Sequence, residues 1–320
     1  MAVFTPVSED RLNALLTRFD LGELVAFEGI ASGIENTNYF VDTTTGRFVL
    51  TLFEKLSAQE LPFYLELMRH LADRNVACPR PMADRHGQLL QTCENKPASL
   101  ATRLKGSWQP DPSPRHCELL GAAIASAHLA VVDYTGTQPN MRGLPWWTQT
   151  IPLLLPYVTP EQSNVLQDEL AHQQRFAQTA LAQGLPRGAV HADIFRDNVL
   201  FEETPNGPVL GGFIDFYFAG VDTFVFDLAV AVNDWCIRFD AHDTGELVSE
   251  KYDAMMKGYA SVRPLSAQEH TAWPIALRAA ALRFWVSRLY DWHLPRKAAM
   301  LTPKDPSHFE RLLMARRASP

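Results

Sequence analysis

The residues best suited to chemistry fall in one short stretch, Ala189-Val-His-Ala-Asp-Ile-Phe-Arg-Asp-Asn-Val-Leu200. His191 and Asp193 are separated by one residue, Asn198 follows five residues after Asp193, and a hydrophobic run downstream carries Asp215. This order suits metal-assisted phosphoryl transfer to a hydroxyl. One carboxylate (Asp193) takes the hydroxyl proton, while a carboxamide and a second carboxylate (Asn198, Asp215) hold a hard cation against the phosphates. Such transfer asks little covalent work of a protein, only in-line positioning and positive charge. Mg²⁺ keeps several of its waters, so one Asp and one Asn are an adequate protein share. The plain alternative is a capped turn between two buried strands.

Those residues need short strands to hold them. Val190 on one side and Val199, Leu200 and Phe201 on the other supply apolar ties, Gly207 reads as a turn, and Val209 to Phe216 as the strand that delivers Asp215. Ser8-Glu9-Asp10 starts a helix with Leu12, Leu15, Leu16 and Phe19 at helical spacing. Strands are expected at Leu24–Ile30, Tyr39–Thr43 and Arg47–Phe53, with Thr45-Gly46 turning the last pair. The stretch Ala31 to Asn38, which holds Ser32, Gly33, Asn36 and Asn38, has the small and polar residues that let backbone N–H groups approach a phosphate; a plain turn is the alternative. Glu60–Asp73 reads as a helix, and Gln88–Thr92 with Pro97–Leu104 as a further hairpin. Lys105-Gly106-Ser107 and the prolines at 110, 112 and 114 mark a boundary between residues 1–104 and 105–320. Beyond it helices are expected at His116–Val131, Glu161–Ala182, Asp227–Phe239, Glu246–Ala260 and Ala267 to about Asp291. A strand-rich first part and a helix-rich second part make an α+β arrangement with a cleft between them.

The whole chain sets limits. Its 320 residues carry 47% hydrophobic and 20% charged side chains, ordinary for a globular enzyme. The net charge of −7 exerts no global pull on nucleic acid. Four scattered cysteines form no Cys-x-x-Cys, which fits a reducing cytoplasm and no structural zinc. The N-terminus has no signal-peptide pattern, and no apolar run approaches a membrane span.

With His191-Ala-Asp193, Asn198 and Ile214-Asp-Phe216 on this plan, the chain resembles the aminoglycoside phosphotransferase-like branch of the protein kinase fold. Ala192 matches the small residue of that branch. Further stretches are similar to one family within it, the bacterial ThrB-type homoserine kinases: Val3-Phe-Thr-Pro6, Asp20-Leu-Gly22, Gly33-Ile-Glu-Asn-Thr-Asn38, Phe48-Val-Leu-Thr-Leu-Phe53, Leu61-Pro-Phe63, Arg142-Gly-Leu-Pro-Trp146, Asn233-Asp-Trp-Cys236 and Arg283-Phe-Trp-Val-Ser-Arg-Leu289. The resemblance runs nearly end to end. It implies a two-lobed protein kinase-like fold, with residues 1–104 as the nucleotide-binding lobe and 105–320 as the catalytic and substrate lobe. It also implies ATP and Mg²⁺ as cofactors and L-homoserine as the acceptor on the way to threonine, with monomer and homodimer both left open. Catalysis falls to Asp193, Asn198 and Asp215, with the last two as metal ligands. Ser32, Gly33, Asn36, Asn38 and Thr51 fall to the nucleotide. A zwitterionic acceptor needs an Arg for its carboxylate, Arg283 first and Arg288 second. It needs Asp234 or Asn233 for its ammonium, and Trp147, Tyr217 and Trp235 as walls; Trp146-Trp147 and Trp235 read equally as core aromatics, and one of the two Arg as a solvated side chain.

One departure from the wider kinase pattern stands out. The strand Lys that pairs with nucleotide phosphates falls at Thr51, and its helix Glu partner near Tyr64; Lys55, Glu60 and Glu66 are close in sequence. The homoserine kinase family shows a similar Val-Leu-Thr-Leu. No P-loop is present. His128 reads as a core residue on an apolar helix, and His191 as a brace of the loop through a backbone hydrogen bond. Two other functions remain open at this point: a kinase for another small alcohol (aminoglycoside, choline or methylthioribose), and a non-catalytic nucleotide-binding pseudokinase.

Overall fold

The computed structural model describes residues 4–31, 36–238, 244–294 and 304–318. Its contacts divide the chain into two units, Met1–Lys105 with Gly211–Ile214, and Gly106–Leu210 with Asp215–Pro320.

The first unit opens with α1 (Glu9–Leu16). The Ser8 hydroxyl accepts from Arg11 N, acidic Glu9 and Asp10 occupy the first turn, and Leu12, Leu15 and Leu16 are buried. Then come β1 (Leu24–Gly29), β2 (Thr37–Thr43), β3 (Arg47–Leu52), α2 (Leu61–Asp73), β4 (Gln91–Cys93) and β5 (Lys96–Thr102). The strands form one antiparallel sheet in the order β1-β2-β3-β5-β4. Along β2 burial alternates, so Tyr39 and Val41 join Leu50, Leu52, Ala98, Leu100 and the α1 leucines in one core. At the end of this sheet Glu54 Oε1 accepts from the hydroxyls of Thr5 and Thr37, both at 2.7 Å, and Glu54 also pairs with Lys96. Thr37 Oγ1 in turn accepts from Phe4 N and Thr5 N, so the carboxylate ties the N-terminal segment to three strands' ends. Burial pushes the Glu54 pKa up, but the bonds from Lys96, Thr37 and Thr5 outweigh it and hold it below the usual range.

The second unit contains α3 (Pro114–Ala130), α4 (Leu144–Leu154), α5 (Pro160–Ala177), α6 (Ala180–Gln183), β6 (Arg187–Val190) and β7 (Val199–Thr204). β8 (Gly207–Phe213) pairs with β7 and continues into the first unit's segment. β9 (Gly220–Thr223), α7 (Phe224–Trp235), α8 (Ser249–Val262), α9 (Ala267–His293) and α10 (Ser307–Ala318) complete it. β6 and β9 are antiparallel, with Val190 opposite Gly220. All twelve residues of α7 are buried, which explains its unbroken apolar run. Helices α3 and α8 pack backbone to backbone. A Cβ on Gly121 would lie 2.1 Å from Met255 O, and one on Gly258 would lie 1.9 Å from Glu118 O. Among the described residues no helix is long and apolar enough to cross a membrane.

Several expected boundaries move. The helix over 161–182 breaks at Gln178, because the Thr179 hydroxyl accepts from Ala182 N and starts α6 anew. The strand expected to reach Phe216 stops at Phe213, and Asp215 takes left-handed angles (φ 62°, ψ 63°) ahead of a 3₁₀ turn. α7 begins at Phe224 rather than Asp227 and stops at Trp235, whereas Phe239 lies outside the described residues.

Candidate active site

β6 ends at Val190 and β7 begins at Val199, so the eight residues between them form a loop anchored by two strands. Ala192 sits in it at φ 62°, where a non-glycine residue is strained and a small one costs least. The Asp227 carboxylate on α7 holds this conformation. Oδ1 accepts from Ala192 N at 2.7 Å, and Oδ2 accepts from His191 N at 3.3 Å. Behind it His128 Nε2 reaches Asp227 Oδ2 at 3.1 Å, and its Nδ1 meets the Tyr259 hydroxyl at 2.9 Å. Arg263 Nη1 donates to that hydroxyl at 2.8 Å. A neutral imidazole protonated on Nε2 satisfies every member of this row, with Tyr259 donating to Nδ1. Burial pushes the Tyr259 pKa up, so it stays a donor. Expected as a satisfied core residue, His128 is one; through Asp227 it also supports the loop. His191 supplies a backbone N–H to Asp227, and its ring lies 4.6 Å from that of Phe216.

The loop then turns back on itself. Phe195 N donates to Asp193 O at 2.8 Å. Asn198 Nδ2 donates to the same carbonyl at 2.8 Å and to Asp193 Oδ2 at 3.0 Å. Arg283 of α9 approaches from the other side, its Nη2 3.3 Å from Asp193 Oδ1 and its guanidinium stacked 3.6 Å over the Phe284 ring. Burial lowers the Arg283 pKa to about 10 and Asp193 offsets part of that, so the group is charged at neutral pH. Its buried Nε has no hydrogen-bond partner. Asp215 is exposed and Tyr217 half-buried, both at the 3₁₀ turn after β8.

The other expected residues divide. Asp234 and Arg288 line a cavity of about 490 Å³ with Phe195 and Arg196 of the loop, and with Phe309 of α10. Asp234 Oδ2 accepts from Arg196 N at 2.8 Å and from Arg196 Nε at 3.2 Å. Burial raises the Asp234 pKa while Arg196 pulls it back. Trp235 is fully buried beneath the loop and donates to Ile194 O at 3.2 Å. Asn233 faces away, with Nδ2 donating to Leu277 O and Oδ1 accepting from Arg316 Nε. Trp147 lines a separate cavity of about 360 Å³ among α4, α5, α7 and α9. In the first unit Thr51 donates to Asn38 Oδ1 at 2.7 Å across β2–β3, and Asn38 Nδ2 to Asn36 O at 3.4 Å. Ser32 and Gly33 lie outside the described residues. Asp227 was not singled out as functional from the sequence, although a lone acid inside Phe224-Val-Phe-Asp-Leu-Ala-Val230 is a usable signal. A buried carboxylate in an apolar helix must be paired.

A two-lobed fold with this loop defines a kinase-like phosphotransferase. The chain belongs to the phosphotransferase enzyme family, whose model matches residues 26–265. It is 52% identical over 320 residues to a homoserine kinase of Polaromonas naphthalenivorans, covering 100% of this chain and 99% of that one. It is 51% identical over 320 residues to a homoserine kinase of Paraburkholderia phytofirmans, covering 99% and 96%. Among solved structures it is similar to an amicoumacin kinase in complex with AMP-PNP and Ca²⁺, at a TM-score of 0.69 and 16% identity over 97% of this chain and 92% of that one.

Proposed function

We propose that this chain is an ATP-dependent homoserine kinase, moving the γ-phosphoryl group of ATP to the side-chain hydroxyl of L-homoserine and releasing O-phospho-L-homoserine and ADP. The observation that carries this reading is identity of about half, end to end, to proteins named homoserine kinase. Asp193 accepts the hydrogen bond of the acceptor hydroxyl and takes its proton as the O–P bond forms. Asn198 fixes one carboxylate oxygen of Asp193, and Arg283 fixes the other. Both act before substrate arrives, so little reorganisation is left to the transition state.

The residues present fit Mg²⁺. The Asn198 amide spends its N–H groups on Asp193, which leaves Oδ1 as a hard oxygen donor, and Asp215 is an exposed carboxylate. Among the described residues no group of three or more His, Cys, Asp and Glu side chains could hold a metal. A cation at the loop therefore rests on one carboxamide, one carboxylate and the nucleotide's own oxygens. When bound, Mg²⁺ neutralises the β- and γ-phosphate oxygens. Asn36, Asn38 and Thr51 are the described candidates for the phosphate-facing end of the first unit.

The test is steady-state ATP consumption with homoserine, serine, choline and an aminoglycoside, run on wild type and Asp193→Asn. Homoserine is the preferred acceptor, and Asp193→Asn lowers kcat by about 10²-fold or more with nucleotide affinity close to wild type, measured at a temperature where the variant is folded because it also loses its ion pair with buried Arg283. Preference for another acceptor rejects the substrate, and an active Asp193→Asn rejects the catalytic assignment.

A further inference from the structure

Residues 266–318 lie beyond the general family match but within the end-to-end match to homoserine kinases. Helices α9 and α10 occupy this stretch, and they wall the 490 Å³ cavity beside the loop. Phe195, two residues after Asp193, packs at a tilt against Phe284 of α9 at 4.2 Å and lies 6.0 Å from Phe309 of α10, centroid to centroid. One wall of the cavity and the catalytic carboxylate are thus parts of one short, hydrogen-bonded loop.

The charges in the cavity are unequal in what they have left to offer. Arg196 is committed to Asp234 and to Pro110 O, Asp305 to Ser307, and Lys304 lies 4.0 Å from Asp197. Arg288 is half-buried and has no hydrogen-bond or ion-pair partner among the described residues, only the Phe309 ring 5.9 Å below its guanidinium. Asp234 is 7% exposed, and both Arg196 donors fall on its Oδ2, which leaves Oδ1 as an open acceptor in the wall. One open cation and one open carboxylate oxygen match the two charges of an α-amino acid.

We propose that Arg288 and Asp234 form the clamp that recognises the amino-acid end of the acceptor, Arg288 taking the carboxylate and Asp234 Oδ1 the ammonium. Arg283, expected from the sequence in the first role, is instead the positioning residue of Asp193. The proposal rests on the homoserine kinase reading and specifies its acceptor subsite.

Two truncated acceptors separate the halves of the clamp: 3-aminopropan-1-ol is homoserine without its carboxylate, and 4-hydroxybutanoate is homoserine without its ammonium. Wild type prefers homoserine to both. Arg288→Ala lowers kcat/KM for homoserine by about 30-fold or more and leaves that for 3-aminopropan-1-ol nearly unchanged, so the preference between them collapses. Arg288→Lys recovers part of it. Asp234→Asn collapses the preference over 4-hydroxybutanoate. Because it also loosens Arg196, its melting temperature is read alongside, and Arg288→Ala, with no hydrogen-bond or ion-pair partner among the described residues to lose, decides the case. Full retention of the preference for homoserine over 3-aminopropan-1-ol in Arg288→Ala overturns the clamp, as does its collapse in Arg283→Ala alone. A wild type that does not use homoserine rejects the parent reading instead.

Discussion

Replacing Asp227 with Asn tests the support of the loop without touching any group that meets substrate. Three N–H donors converge on this carboxylate, from Ala192 (2.7 Å), His191 (3.3 Å) and His128 (3.1 Å). A carboxylate can accept from all three. An amide offers one oxygen and sets an NH₂ group against at least one of the donors. The variant therefore loses at least one charge-assisted bond, about 1.5–3 kcal/mol, and strands a buried donor, about 1–3 kcal/mol. A combined loss of about 2.5–6 kcal/mol lies at or below the lower part of the stability range of an ordinary domain, so the protein folds at low temperature but melts well below wild type. The catalytic effect is separate. Ala192 holds φ 62° only while its N–H is engaged, and relaxation of that angle swings Asp193, the next residue. A misplacement near 1 Å lowers kcat by about 10²-fold. The assay is kcat and the KM for each substrate at a temperature where circular dichroism shows the variant folded, with His128→Phe as a milder companion that keeps the stack on Phe224. A fall in kcat with an unmoved KM for ATP is expected. Full wild-type kcat in folded Asp227→Asn would refute the claim that this carboxylate sets the loop.

Asp215→Ala loses Mg²⁺-dependent ATP binding in isothermal titration, and Asn198→Ala raises the Mg²⁺ requirement with a smaller loss; unchanged affinity and unchanged Mg²⁺ dependence in both remove the metal site. Glu54→Gln lowers thermal stability at neutral pH by about 2 kcal/mol without altering kcat. Because the folded-state pKa of Glu54 is lowered from 4.5, its contribution is present above that value and is lost as pH falls through the folded pKa. The gap in melting temperature between wild type and Glu54→Gln therefore closes in acid, and a gap independent of pH contradicts the assignment.

What the sequence made legible was mostly local. The loop residues lie within eight positions of one another, and their spacing alone suggested both chemistry and metal ligands. Strands β2 and β3 and helices α1, α2, α3, α8 and α9 showed their periodicity and caps. α4 was missed because Pro145 and Pro152 and its paired tryptophans break the helical pattern. β9 was missed because four residues carry too little alternation; it exists through pairing with β6. α10 was missed as well, since much of its apolar surface is placed by packing against α9. The support of the site was hidden for a different reason. His128, Asp227 and Tyr259 meet only in the folded chain, and nothing in their spacing announces it. The same holds for Arg283, found as a substrate candidate by family likeness and located by the structure against Asp193. Asn233 was read beside Asp234 as an equal candidate, yet adjacent helical positions point about 100° apart, and only one of them faces the cavity.

The pairing of Asp193 with Arg283 has a consequence for the order in which the protein becomes competent. Residue 283 follows residue 193 by ninety positions, and at a synthesis rate of about 5–20 residues per second that interval lasts roughly 5–18 s. Throughout it the nascent chain carries Asp193, Asn198 and soon Asp215, but neither the guanidinium that pairs with Asp193 nor the two helices that wall the neighbouring cavity. On the proposed reading, the chemical groups are made early and the acceptor's seat late. If that reading holds, a ribosome stalled before α9 holds a chain with the marks of a phosphotransferase and no place to put an amino acid.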